Sequence, residues 1–177
     1  MGPAGSPVST AERNDSIPLI RPFEQADFDA VCLLEEERSG SRYGSAVFIR
    51  QASVVFSPFF FIAELRQAVT GYTIGSLTSV DAREGWVLRL KVVEGLRSRG
   101  IGRLLLDTVV TSLAAAGAKK VLLSVAPGNK NAIGLYKKYG FSEIGFQTGY
   151  FGEGEDRIIM AFRTMPGEEP EKGQEPW

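Results

Sequence analysis

The apolar positions of this chain run at strand spacing for most of the first half and shift to helical spacing near residue 101. Ile17 to Phe23 reads as a first strand. Asp27 is placed to cap a helix reaching about Glu37, with Phe28, Val31, Cys32 and Leu34 turned inward. A shorter helix is expected over Ser45 to Ala52, and Pro58 closes that region. The run Phe59 to Ala63 predicts a buried strand by its aromatic content. Val69 to Val80 and Gly85 to Val93 predict two more strands around a polar turn at Asp81 to Glu84. Their direct succession implies an antiparallel meander.

After that meander, Leu104, Leu105, Thr108, Val109, Ser112 and Leu113 make an apolar stripe at helical spacing, ended by Gly117. Lys120 to Val125 follows as a strand, so a crossover helix joins two parallel strands. Pro127-Gly128-Asn129 turns the chain into a short helix over Asn131 to Tyr139, stopped by Gly140. Strands at Phe141 to Gln147 and Arg157 to Arg163 finish the pattern. Strands first, then a βαβ unit, then a terminal hairpin give an α+β mixed sheet rather than a doubly wound one. Residues 1–16 read as a disordered leader and 165–177 as an acidic disordered tail, leaving a single domain over 17–164.

Composition removes several chemistries. The 177 residues include no histidine, so a Ser-His-Asp triad is impossible and the commonest metal ligand is missing. One cysteine, Cys32, cannot form an intrachain disulfide, and no metal site is expected. With 20 basic and 21 acidic side chains there is no global pull toward nucleic acid or an anionic membrane. No apolar run approaches the length of a membrane span, and no signal peptide opens the chain, so a cytoplasmic monomer or homodimer is expected.

Local charge is more telling. Arg97-Ser98-Arg99-Gly100-Ile101-Gly102-Arg103 lies between a strand and a helix start. Helix N-termini offer unpaired amides and a dipole that favours anions, and glycine lets the backbone approach a bulky phosphate. Leu105 stands where a dinucleotide fingerprint needs its third glycine, and no Gly-Lys-Ser/Thr follows as in a P-loop. The loop therefore reads as a site for a phosphorylated cofactor of another kind.

Downstream, Asn129-Lys130-Asn131-Ala132-Ile133-Gly134-Leu135-Tyr136-Lys137-Lys138-Tyr139-Gly140-Phe141 resembles the Asn-x-x-Ala-x-x-Leu-Tyr-x-x-x-Gly-Phe motif of the GCN5-related N-acetyltransferases. The Arg-x-x-Gly-x-Gly loop resembles their acetyl-CoA pyrophosphate loop. The resemblance runs from about Ile17 to Arg163 and implies a mixed sheet of about seven strands with about four helices, its two central parallel strands splayed. It further implies that the amides of Arg97 to Gly102, with Arg103 alongside, hold the CoA pyrophosphate. Leu90, Lys91 and Val92 would pair with the pantetheine arm, and Asn129 would bond the pantetheine or the next loop. Lys137 or Lys138 would reach CoA phosphates. Tyr136 would protonate the departing thiolate. With ordinary pKa values near 10 for the phenol and 8.5 for the thiol, that transfer is expected to run easily.

Gly149-Tyr150-Phe151-Gly152-Glu153-Gly154-Glu155-Asp156, followed by Ile158-Ile159-Met160, is similar to a segment of protein N-terminal acetyltransferases of the ribosomal-protein alanine and archaeal types. It implies that Tyr150 lines a slot for a peptide N-terminus. The ribosomal-protein type carries a general-base glutamate where this chain has Ser124. Glu35, Glu36, Glu37, Glu64 and Tyr43 are the candidates to order a water instead, with Glu36 and Tyr43 expected on the substrate side. An α-amine, with a pKa of about 7.7–8.0, is already about a tenth neutral at pH 7, whereas lysine near 10.4 needs about 4.6 kcal/mol of deprotonation. The reading is thus acetyl transfer to a protein or peptide N-terminus. A small amine or polyamine acceptor, and a non-catalytic acyl-CoA-binding regulator, stand as alternatives.

Overall fold

The computed structural model describes residues 17–164, and the expected leader and tail lie outside them. Seven strands form one sheet in the order β1-β2-β3-β4-β5-β7-β6. In chain order the elements are β1 (Leu19–Pro22), α1 (Phe28–Ser39), α2 (Arg42–Val55), β2 (Phe60–Leu65), β3 (Ala68–Leu77) and β4 (Glu84–Val92). They continue with α3 (Ile101–Ala115), β5 (Lys120–Val125), α4 (Lys130–Tyr139), β6 (Ser142–Gln147) and β7 (Arg157–Arg163). All neighbours pair antiparallel except β4 and β5. The α+β mixed sheet expected from the sequence is therefore present.

Helices cover both faces. Against one face, α3 and α4 bury Leu106, Val109, Val110, Leu113, Ile133 and Tyr136 over Val87, Val121, Leu123, Val125 and Met160. Against the other, α1 and α2 bury Val31, Leu34, Ile49 and Ala52 over Phe60, Ile62, Tyr72 and Ile74. The buried stripe of α3 is rotated from the expected one. Leu105, Leu106, Val109, Val110 and Leu113 face the sheet, while Leu104 is partly exposed. Two adjacent apolar residues per turn make an arc wide enough to lie flat on three strands, and Leu104 falls outside it.

Two local expectations are corrected. Asp27 does not cap α1 with its side chain. Its carboxylate instead accepts two hydrogen bonds from the Arg21 guanidinium, each 2.7 Å, and one from the Glu24 amide. A buried carboxylate beside a guanidinium gains more there than from a single capping amide. The second helix begins three residues earlier than expected, because Ser41 accepts from the Gly44 amide and caps it.

The parallel pair is short. β4 meets β5 only through Glu84–Val87 against Lys120–Leu123. Beyond that point β4 continues for five residues, Leu88 to Val92, with β3 on one side and, among the described residues, no strand on the other. A bulge at Leu88 marks the divergence, since Val87 pairs with Gly75 and Arg89 with Ile74. Bulges bend the strand that carries them, which is how β4 leaves β5.

Candidate active site

The gap between β4 and β5 opens toward the glycine-bearing loop. After β4 the chain makes a 3-10 turn over Glu94–Leu96, passes through Ser98 at φ 62°, and enters α3 from Gly100 at φ 85°. A Cβ at position 100 would meet nothing, so the left-handed backbone, rather than space, calls for glycine there. The Arg97 amide donates to the Glu94 carbonyl at 3.2 Å and the Arg103 amide to the Gly100 carbonyl at 3.0 Å. Between them, the amides of Ser98, Arg99, Gly100, Ile101 and Gly102 have no acceptor among the described residues. Five consecutive free donors at a helix N-terminus form an anion cradle. The Arg97 amide, expected among these donors, is instead committed to Glu94 and lies outside the free set. Arg97 Nε donates to the Val92 carbonyl at 3.3 Å, holding the side chain back along β4. Arg99 and Arg103 are exposed around the same turn.

Gly102 stands where three elements converge. A Cβ there would lie 3.4 Å from Leu135 on α4 and 3.7 and 3.8 Å from Leu90 and Val92 on β4. The Val93 amide donates to the Thr70 carbonyl, so the antiparallel alternation gives positions 91 and 89 the ladder bonds to β3. Leu90 and Val92 therefore turn their peptide edges into the gap, toward α4. Lys91 does not join them. Its backbone belongs to the β3 ladder, and its Nζ donates to the Leu34 carbonyl of α1.

On α4, Asn129 caps its own helix by accepting from the Ala132 amide at 3.1 Å, so its carbonyl oxygen is committed. Tyr136 is ring-buried, with Phe141 at 5.9 Å between centroids. Its hydroxyl has no partner among the described residues, and it is not sealed from solvent, because no fully enclosed side-chain polar atom there goes unbonded. Three residues on, the Tyr139 hydroxyl is occupied, donating to Asp107 at 3.0 Å. Lys137 is also occupied, by Glu143 at 2.8 Å.

Burial pushes the Tyr136 phenol up to about 12. The expectation of an easy proton transfer has the wrong sign: even at ordinary values a phenol near 10 is a weaker acid than a thiol near 8.5, so full transfer to the thiolate runs uphill, and burial makes it more so. What this group can do is stay protonated and donate a hydrogen bond as negative charge builds on a sulfur atom. A thiolate of that basicity leaves without needing full protonation.

The α1/α2 face of the gap carries the other candidates. Along β5, Val121, Leu123 and Val125 point to α3 and α4, so Ser124 faces the opposite side. Glu35 is buried and its carboxylate is taken, accepting from the Tyr72 hydroxyl and from Arg89 Nε at 3.2 Å. Arg89 also donates to the Leu88 carbonyl at the bulge and stacks on Phe48. Glu64 pairs with Arg21 at 2.7 Å on the far side of the sheet, away from the gap. Glu36 is half-buried at the end of α1, and Tyr43 is 81% exposed at the start of α2. The side chain of Glu37 lies outside the described residues. Tyr150 is half-buried in the β6–β7 connection, edge-on to Phe151, within a loop tied by the Gly149 amide donating to Asp156. No hydrogen bond joins Glu36, Tyr43 and Tyr150 among the described residues. The pair Glu35–Arg89 went unread in the sequence, although two cations within the apolar run Val87 to Val93 were a signal that something opposite must neutralise them.

Among the described residues no cluster of three metal-ligating side chains occurs, and no helix is long and apolar enough to cross a membrane. Residues 23–141 match the model of the acetyltransferase (GNAT) family. An N-alpha-acetyltransferase of Sulfurisphaera tokodaii is 29% identical over 80% of this chain and 90% of its own length. Ard1 from Thermoplasma volcanium superposes with a TM-score of 0.74 at 24% identity, covering 84% of this chain and 98% of that one. An aminoglycoside 6′-N-acetyltransferase complexed with coenzyme A gives 0.73 at 16% identity, covering 85% and 99%. The chain belongs to the acetyltransferase (GNAT) family and is an acetyl-CoA-dependent N-acetyltransferase.

Proposed function

We propose that this enzyme acetylates the α-amine of a protein or peptide N-terminus. The observation that carries the reading is Ser124. It faces away from α3 and α4 and cannot take a proton as a glutamate would, and Glu35 and Glu64 are both committed to arginines, which leaves half-buried Glu36 as the candidate carboxylate able to order a water. Without a strong base the amine must arrive largely neutral. An α-amine does so for about a tenth of molecules at pH 7, while a lysine would need about 4.6 kcal/mol of help. The archaeal relative named as an N-alpha-acetyltransferase supports the same choice.

In this reading the amides of Ser98 to Gly102 hold the diphosphate, and Arg99 and Arg103 add charge. Leu90 through its peptide edge and Val92 through its amide, its carbonyl being taken by Arg97 Nε, bond the pantetheine and so fix the thioester carbonyl against β4. The amine approaches from the α1/α2 face, between Glu36 and Tyr43 on one side and Tyr150 on the other. It attacks the acetyl carbonyl carbon, the carbon–sulfur bond breaks, and the amine's surplus proton passes to water. Tyr136 donates a hydrogen bond to the leaving sulfur. Bound acetyl-CoA supplies the activated acyl group, and the protein supplies orientation and charge stabilisation.

A small-amine acceptor is the second reading, because polyamines and aminoglycosides also present amines of lowered pKa. Mass spectrometry of products from N-terminal peptides and small amines, incubated in parallel with acetyl-CoA, separates the two. Acetyl on peptide α-nitrogen supports the first reading. Product confined to small amines overturns it.

A further inference from the structure

A buried ion pair is a poor device for stability alone, because taking both charges out of water costs about what their attraction returns. Glu35 and Arg89 form such a pair between α1 and β4, with the Glu35 carboxylate also accepting from the Tyr72 hydroxyl. What the guanidinium reaches besides Glu35 gives the pair a further use. Its Nη1 donates to the Leu88 carbonyl at 2.9 Å, and Leu88 is the bulge residue, opposite no residue of β3. The Arg89 amide belongs to the β3 ladder. Across a trans peptide the Leu88 carbonyl points the opposite way, out of the sheet edge and into the gap.

A bare carbonyl at that edge has the wrong polarity for acyl transfer. Its oxygen would face the thioester oxygen, on which negative charge grows as the amine attacks. Arg89 covers the Leu88 oxygen with a cation. The next carbonyl along, that of Arg89 itself, accepts from the buried Thr73 hydroxyl at 2.9 Å. Both carbonyls at the bend are thus committed. Two residues further, Lys91 donates to the Leu34 carbonyl, so alternate side chains of β4 hold α1 at Leu34 and Glu35. Glu36 follows directly on the acceptor side, which ties that side to the bend.

We propose that Arg89, held by Glu35, is a positioning residue for acetyl transfer: its guanidinium masks the Leu88 carbonyl and fixes the bend of β4, so that the thioester oxygen meets donors along this edge. This rests on the placement of the thioester against β4 given above. It adds the side chain that makes the edge fit for a developing oxyanion.

The test is infrared difference spectroscopy of the full chain with acetyl-CoA isotopically labelled at the acetyl carbonyl, which needs no acceptor. Bound to the wild type, the thioester carbonyl should absorb at lower wavenumber than in solution, because donors at its oxygen polarise it. Arg89→Lys keeps a cation for Glu35 but loses the forked donor that reaches Leu88. The double variant Glu35→Gln/Arg89→Met removes both charges together and leaves neither buried alone. Each should lose about half or more of that lowering, and about tenfold in kcat with the peptide or small amine that the wild type acetylates. CoA, which has no acyl carbonyl, should still bind within about twofold of wild type by calorimetry. Asp27→Asn, a destabilised control far from the gap, should keep both the absorption and kcat. If the double variant does not fold, Arg89→Lys decides by the same readings. Wild-type absorption and kcat in Arg89→Lys, or equal losses in Asp27→Asn, overturn the assignment. A wild type whose bound thioester absorbs as in solution overturns the placement against β4 itself, which is a different failure.

Discussion

Tyr136 and Tyr139 sit less than one helical turn apart on α4, and their hydroxyls have opposite fates. Tyr139 is spent on Asp107, tying α4 to α3, whereas Tyr136 keeps a free hydroxyl at the end of a buried ring. Tyr136→Phe removes only that oxygen and should lower kcat about 10²-fold or more, with little change in melting temperature. Turnover equal to wild type would leave Tyr136 as packing. Because burial holds its phenol up near 12, the protonated donor persists to well above pH 10. The rate against pH should therefore rise through the acceptor amine's pKa near 8 and show no fall up to about pH 10. A descending limb near pH 9 would show that some other acid is required. The same reasoning places Tyr139→Phe in another class: it should loosen the α3–α4 contact by about 1 kcal/mol in chemical denaturation and leave kcat intact.

At the scale of elements, the proposed active site is made by what β4 leaves unpaired. The bulge at Leu88 turns the strand away from β5, and Arg89 holds that turn to α1 through Glu35. Gly102 lets α3 begin directly against Leu90 and Val92. Alanine there meets only ordinary contacts, so it should be tolerated. Gly102→Phe must send its ring into the mouth of the gap and should weaken acetyl-CoA at least about tenfold by calorimetry. Unaltered affinity would move the pantetheine elsewhere. Far from the gap, Asp27 joins β1 to the start of α1. Burial by itself would raise its carboxyl, but the Arg21 hydrogen bonds and the Glu24 amide outweigh that and hold it below the usual range. A depressed carboxylate contributes stability above its unfolded pKa near 3.9 and loses it as pH falls through the lower folded value. Asp27→Asn should thus cost about 2–3 kcal/mol in urea melts at pH 7. The difference should start to shrink below about pH 4, where the carboxylate of the unfolded chain takes up its proton before that of the folded protein, and go on shrinking until the folded carboxylate is protonated as well. A gap between the two proteins that stays constant down to pH 2 would refute that assignment.

For the whole molecule, the sheet divides labour between its faces. The α3/α4 side carries the free amides of the glycine-bearing loop and the Tyr136 phenol, and the α1/α2 side carries Ser124, where the proposed acceptor would approach. Much of this was legible from one sequence. Hydrophobic period gave the strand order through the meander, and Gly117 and Gly140 stop α3 and α4 where expected. The cradle was legible because glycine, arginine and a helix start leave little else for those residues to do. What could not be read were partners that meet only in three dimensions. Glu35 looked like any member of the run Glu35-Glu36-Glu37 until α1 folded over Arg89. Lys91 looked like part of a cofactor edge until strand register turned its backbone to β3. Asn129 and Asp27 were ambiguous for a related reason, since a short polar side chain near a helix start can cap it or serve something nearby. The turn between β2 and β3, where Arg66 and Gln67 take φ of 52° and 63°, gave no local signal, because an Arg-Gln pair seldom marks a left-handed hairpin.

The acceptor claim is tested most directly by CoA thiol release from acetyl-CoA in the presence of one peptide in two forms. One form has a free α-amine and no lysine, and the other has a blocked N-terminus and one lysine. Steady release with the first and background release with the second is the predicted outcome. Equal release from both, or release only from the lysine form, would contradict an enzyme that works on amines already neutral when they arrive.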